Sequence, residues 1–120
     1  MSFKDFKSLV KEKKYNAILI DTIACSECIT VRGIVSGIAK DNNIKIKYVS
    51  SGQFATEADV NNFIKMFKDL KFDNKDYKES EQISVPLLII TKNNKIEDYL
   101  INTTEKDDYT KLLKKYNIIK

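Results

Sequence analysis

An α/β fold, built on a four-stranded mixed sheet with helices on both faces, is what the 120-residue sequence predicts, and three patterns carry that prediction. Ala17-Ile18-Leu19-Ile20 is apolar at every position, as expected of a strand buried on both faces in the middle of a sheet. A helical pattern from Cys25 to Lys40 then leads to an alternating strand, Ile44 to Val49, and supplies the crossover that a parallel βαβ unit needs. Finally, strands Leu87 to Thr91 and Lys95 to Ile101 are separated only by Lys92-Asn93-Asn94, and asparagine tolerates the left-handed backbone of a tight antiparallel hairpin.

The remaining elements follow from caps and periodicity. Ser2-Phe3-Lys4-Asp5 has the pattern of a capping box, and Phe3, Phe6 and Val10 recur on one face, so the spacing predicts a helix over 3–14. In the alternating strand, Ile44, Ile46 and Tyr48 face one way and Lys45 and Lys47 the other, as at a sheet edge with one buried face. A second capping box, Thr56-Glu57-Ala58-Asp59, opens a helix carrying Val60, Phe63, Ile64, Phe67 and Leu70 to about Lys71. Residues 72–81 are too polar to assign. A third box, Thr104-Glu105-Lys106-Asp107, precedes the stripe Tyr109, Leu112, Leu113 and Tyr116 of a last helix. The order is α, β, α, β, α, β, β, α, with no repeat, linker or low-complexity tract, and residues 1–120 are expected to form one domain.

Composition narrows the function classes. Hydrophobic residues make up 42% and charged residues 32%, an ordinary globular balance. The formal net charge is +4, but Arg32 is the only arginine and the lysines alternate with acids, so a solvated surface is expected rather than a nucleic-acid-reading face. Abundant Lys, Asn and Ile look like a coding bias with little to say about function. The longest apolar runs fall far short of the ~20 residues of a bilayer span, so no membrane partner is expected. The charged N-terminal stretch has no signal-peptide core, which points to a cytoplasmic protein.

The chemistry lies in Cys25 and Cys28, the only cysteines. A C-x-x-C pair is a redox couple, half of a metal site, or two small buried residues. Zinc wants four ligands, mostly Cys and His, and the chain has no His, so a metal or cluster site would need carboxylates or a second protomer; no metal and no cofactor are expected. The position of the pair favours the redox couple. Cys25 falls just after a buried strand and at the first turn of a helix, where free N–H groups and the helix dipole favour a thiolate, the nucleophile of disulfide exchange. Cys28 lies one turn deeper, placed to attack a mixed disulfide on Cys25.

Pro86, the only proline, stands at the start of a strand, where proline is otherwise poorly tolerated. With a C-x-x-C at a strand-to-helix junction, a later Ser84-Val85-Pro86 opening a strand, a hairpin and a final amphipathic helix, the chain resembles the thioredoxin family over most of its length. The resemblance implies a cis Pro86 facing the cysteines, Val85 as the residue whose backbone docks substrate, protein or small-molecule disulfides as substrates, and a disulfide reductase as electron donor. It also implies that Asp21 is a buried proton-transfer acid. Yet Asp21 stands four residues before Cys25, closer than the family spacing, and the preferred reading is an exposed strand-end acid. Gly33 holds the place of a kink-forming proline, and Gly33 and Gly37 fit either a kink or close packing. Asn102 replaces a glycine near the end of the last strand. The usual Trp-Cys-Gly-Pro-Cys is here Ala24-Cys25-Ser26-Glu27-Cys28. Glu27 brings a carboxylate near the thiolate, an unfavourable pairing that points toward a reducing couple. Glutaredoxin is a weaker match, lacking its glutathione loop, and the layout is similar to thioredoxin-like proteins associated with bacteriocin transport. The expected function is reductive thiol–disulfide exchange, with a redox-inert binding module and a metal or cluster carrier using the pair across a dimer as alternatives.

Overall fold

The computed structural model describes residues 2–22, 25–54, 56–65, 71–72, 75–76, 85–101 and 103–120. Its elements are α1 (Phe3–Val10), β1 (Asn16–Asp21), α2 (Ser26–Asp41), β2 (Lys47–Ser50), a 3-10 turn (Ser51–Gln53), α3 (Glu57–Lys65), β3 (Lys71–Phe72), β4 (Lys75–Asp76), β5 (Leu87–Lys92), β6 (Lys95–Ile101) and α4 (Lys106–Lys115). The main sheet has the order β2-β1-β5-β6, with β3 and β4 forming a separate two-stranded ribbon. β1 pairs parallel with β2 and antiparallel with β5, and β5 pairs antiparallel with β6.

The apolar run of β1 divides between two cores because successive side chains leave a strand on opposite faces. Ile18 and Ile20, with Leu87 and Ile89, meet Phe6 and Val10 of α1 and Phe63 of α3. Ala17 and Leu19, with Leu88 and Ile90, meet Val31, Val35 and Ile38 of α2 and Tyr109, Leu112 and Leu113 of α4. α1 and α3 therefore cover one face and α2 and α4 the other. In the first core, the rings of Phe3, Phe6, Phe54 and Phe63 stand with centroids 5.0 to 6.1 Å apart.

Element ends differ from the sequence expectation where tertiary partners intervene. The capping box at Ser2 is present, the Ser2 hydroxyl accepting the Asp5 N–H. α1, however, stops at Val10 instead of residue 14. Lys11 to Lys14 bring no apolar side chain to bury, and the carbonyls of Val10 and Glu12 instead accept the N–H groups of Asn94 (2.6 Å) and Asn93 (2.9 Å) at the hairpin tip. Those asparagines have φ of 64° and 54°, the left-handed pair of a two-residue hairpin turn, and Lys92, expected in the loop, pairs with Lys95. β2 covers Lys47–Ser50 rather than 44–49. Ile44 is drawn instead into the end of α2, where its N–H donates to the Ala39 carbonyl (3.0 Å) after Asn43 at φ 53°, a Schellman-type closure. Ile44, Ile46 and Tyr48 do share one face, against the α2–α4 core.

The Thr56 cap of α3 is made, its hydroxyl accepting the Asp59 N–H at 3.1 Å. The expected continuation through Phe67 and Leu70 lies outside the described residues, and Lys71, expected as the helix end, is in β3. At α4 the capping residue is not Thr104. Glu105 is the N-cap without a side-chain bond of its own, and Thr103 closes the turn, accepting the Glu105 N–H and donating to the Asp108 carboxylate at 2.6 Å. One threonine earlier suits the chain because the Thr103 carbonyl also accepts the buried Tyr109 hydroxyl. Asn102 lies outside the described residues. α2 runs unbroken through Gly33, and a Cβ at Gly33 or Gly37 would meet nothing within 4 Å, so close packing does not explain either glycine.

Gly33→Ala and Gly37→Ala are each expected to stabilise the protein by about 0.5–1 kcal/mol in urea unfolding, since both leave space for a methyl and lower the unfolded-state entropy. A destabilising result would show a contact that the open space denies. Thr91 is fully buried, and its hydroxyl has no hydrogen-bond partner among the described residues. Thr91→Val should therefore raise stability by about 1 kcal/mol in the same measurement.

Candidate active site

The carboxyl end of β1, the start of α2 and the start of β5 meet at one end of the sheet. Cys25 is the N-cap of α2, with extended backbone (φ −117°, ψ 119°), and its Sγ accepts the N–H of Cys28 at 3.1 Å. A cysteine thus takes the capping role usually filled by Ser, Asp or Asn, and the positive end of the helix dipole faces its sulfur. Cys25 is half-buried, Cys28 is buried, and both thiols are free. Burial, followed by the hydrogen bond with the Cys25 side chain, pushes the Cys28 thiol up to about 11, against the opposing effect of a backbone hydrogen bond from Thr22. The pair is therefore asymmetric, with one accessible sulfur and one enclosed protonated sulfur.

Val85 and Pro86 sit one residue before the last β1–β5 pair, Ile20 with Leu87, at the same end of the sheet as the cysteines. The Val85–Pro86 peptide bond is cis. Pro86 is buried, while Val85 is half-buried and packs on the α1–α3 core. Glu27 is exposed on the first turn of α2, and its charge is felt at Tyr109, whose hydroxyl is pushed up to about 12 mainly by burial.

Asp21 is not the exposed acid that its position suggested. It is 4% exposed, and both its carboxylate oxygens accept from Arg32, Nε at 2.8 Å and Nη2 at 2.9 Å. A buried carboxylate requires such a partner, and Arg32 supplies a planar fork that matches it. The guanidinium in turn lies 4.7 Å from the centroid of the Tyr48 ring, and the Tyr48 hydroxyl shares a 2.8 Å hydrogen bond with Ser36. The Asp21 hydrogen bond holds Arg32 above its ordinary titration range. Arg32 belongs to the site although no motif marks it. Its signals were its status as the sole arginine and its place one helical turn beyond Cys28, on the same face.

Asp21, Thr22, Cys28, Ile29, Arg32 and Ser36 line a groove of about 500 Å³, and Ile29 is the most exposed large apolar side chain on it, at 69%. A cavity of about 440 Å³ among the phenylalanines of α1 and α3 contains neither cysteine. Among the described residues, no three Cys, His, Asp or Glu side chains cluster as a metal site, and no helix is long and apolar enough to cross a membrane.

Because the folded chain holds the Cys28 proton to about 11, against an ordinary value of 9.0, it keeps a proton that the unfolded chain releases earlier. This contribution to stability is complete below pH 9.0 and is lost as the pH rises toward 11, by on the order of 2 kcal/mol. Urea unfolding across that range should show a flatter alkaline limb for Cys25→Ser/Cys28→Ser than for Cys25→Ser alone. Superimposable limbs would contradict the burial of a protonated thiol.

No family model and no curated protein matches the sequence. Solved structures do match. The thioredoxin of Malassezia sympodialis aligns with a TM-score of 0.65 at 12% identity, over 96% of this chain and 88% of that chain. Oxidised thioredoxin from Plasmodium falciparum aligns at 0.62 and 16% identity, over 96% and 92%. Fasciola hepatica thioredoxin aligns at 0.61 and 13%, over 96% and 94%. These matches lend no support to the bacteriocin-transport resemblance. The four-stranded sheet order, the helices on both faces and these alignments together establish that the chain has a thioredoxin-like fold.

Proposed function

We propose that the protein is a cytoplasmic thiol–disulfide oxidoreductase that reduces protein or small-molecule disulfides. The observation that carries this reading is the asymmetric pair at the start of α2: a half-buried Cys25 sulfur at the helix N-cap, bonded to the Cys28 N–H, with Cys28 buried one turn deeper. The Cys25 thiolate attacks one sulfur of a substrate disulfide, and the other sulfur leaves as a thiolate that takes up a proton. Cys28 then loses its proton and attacks the Cys25 sulfur. The bond from Cys25 to the substrate breaks, the second substrate thiol is released, and a Cys25–Cys28 disulfide remains. Two electrons have passed to the substrate, and a disulfide reductase restores the dithiol.

Val85 and Pro86 act as the docking edge, supported by their place just before the Ile20–Leu87 pair, at the carboxyl end of β1. The groove along α2, with Ile29 exposed on its wall, offers apolar surface next to Cys28. Asp21 and Glu27 act on the pair only through charge, since the Asp21 oxygens are engaged by Arg32 and Glu27 is exposed to solvent. Reduction is the favoured direction in a compartment that keeps thiols reduced. A redox-inert thioredoxin-fold binding module is the second reading, favoured by the deep burial of Cys28.

Equilibration with glutathione or dithiothreitol redox buffers is expected to give an internal Cys25–Cys28 disulfide, with a midpoint between about −270 and −120 mV. Cys28→Ser should instead accumulate a mixed disulfide on Cys25, and Cys25→Ser should abolish exchange. A native pair that never closes, with Cys25 alkylated no faster than a free cysteine, would leave the binding module as the function.

A further inference from the structure

We propose that Arg32 is a positioning residue for the resolving thiol: by gripping both oxygens of Asp21 it offsets part of that carboxylate's charge beside Cys28, and so sets how readily Cys28 gives up its proton. The inference rests on the thiol–disulfide reading of the pair and assigns its regulation to a residue outside the C-x-x-C motif. Asp21, Cys28 and Arg32 line the same groove, and Asp21 and Cys28 are both enclosed, at 4% and 1% exposure. In such surroundings a neighbouring charge acts strongly on a thiol, and a carboxylate and a guanidinium act in opposite directions. The bidentate geometry, 2.8 and 2.9 Å, holds the two charges against each other as one unit, and the half-exposed guanidinium is further fixed by the Tyr48 ring beneath it.

Among the described residues, the titratable and charged groups that face this unit are Cys28 on α2, Cys25 at the α2 N-cap through its contact with Cys28, and Tyr48 on β2. On its other side, β1 is packed by β5, which presents the uncharged Leu87 to Thr91 along the shared register. Among the described residues, the cation bonded to Asp21 is Arg32. In the resolving step, Cys28 passes its proton to solvent in the groove, and its thiolate forms the bond to Cys25 as the bond from Cys25 to the substrate breaks. A bare carboxylate beside Cys28 hinders that proton loss, and a bare guanidinium aids it.

The two partners should therefore act with opposite sign. With a mixed disulfide formed on Cys25, R32Q is expected to slow substrate release by about tenfold and D21N to speed it, one unit of thiol titration being tenfold in thiolate at pH below the midpoint. D21N/R32Q, which removes both charges, should return toward the native rate. R32K, which keeps the charge and loses the planar fork, should recover most of it. A salt bridge that serves only stability would move both single variants in the same direction, and that result, or a double variant slower than either single one, overturns the proposal. The pH midpoint of Cys28 alkylation, measured in a Cys25→Ser background, needs no turnover. It should rise in R32Q and fall in D21N. Unchanged midpoints overturn the role of Arg32 even if exchange proceeds, whereas opposite shifts uphold its control of the Cys28 proton even if the native protein exchanges no disulfide and the oxidoreductase reading fails.

Discussion

The structure depends on one strand that has no solvent face. Ile18, Leu19 and Ile20 of β1 are each fully buried, and each such side chain contributes roughly 1.5–3 kcal/mol when withdrawn from water. A strand of this kind is stable only between two other strands and between two layers of helix. That requirement places β2 and β5 on its edges, α1 and α3 over Ile18 and Ile20, and α2 and α4 over Ala17 and Leu19. It also determines where the chemistry falls, because the chain leaves this buried strand at Asp21 and enters α2 through Cys25.

Around that centre, asparagine does the work that glycine often does. All four described non-glycine residues with positive φ are Asn43, Asn93, Asn94 and Asn117, and no glycine has one. Asn43 and Asn117 end α2 and α4, the latter letting Ile118 donate to the Leu113 carbonyl at 3.0 Å. Asn93 and Asn94 turn the β5–β6 hairpin and tie its tip to the end of α1. What composition alone presents as a bias toward asparagine is therefore, at these positions, a backbone requirement met by the side chain that best tolerates the left-handed region.

The cysteine pair draws its asymmetry from the same architecture. A helix that begins at the edge of a buried strand exposes its first residue and encloses the one a turn later, so Cys25 is reachable and Cys28 is not. Enclosure makes Cys28 sensitive to its electrostatic neighbours, among them the Asp21 carboxylate, which is held by Arg32. A solvent-exposed ion pair has little effect on its surroundings; this one has its acidic member buried and its basic member stacked on Tyr48.

Legible in the chain alone is whatever depends on neighbours a few residues apart: the two-faced β1, the asparagine hairpin, the caps at Ser2 and Thr56, and a C-x-x-C pair at a strand-to-helix junction. Each rests on periodicity or on a bond spanning three residues. Tertiary structure decided what depends on partners distant in the chain. Asp21 is buried because Arg32, eleven residues on, swings back from α2 to meet it. α1 ends early because a hairpin more than eighty residues away satisfies its last carbonyls, and Ile44 leaves β2 to close α2. A short polar side chain at a strand end can face water or a buried cation with equal local propensity. The choice between them is made by desolvation and charge pairing, which exist only once the chain has folded.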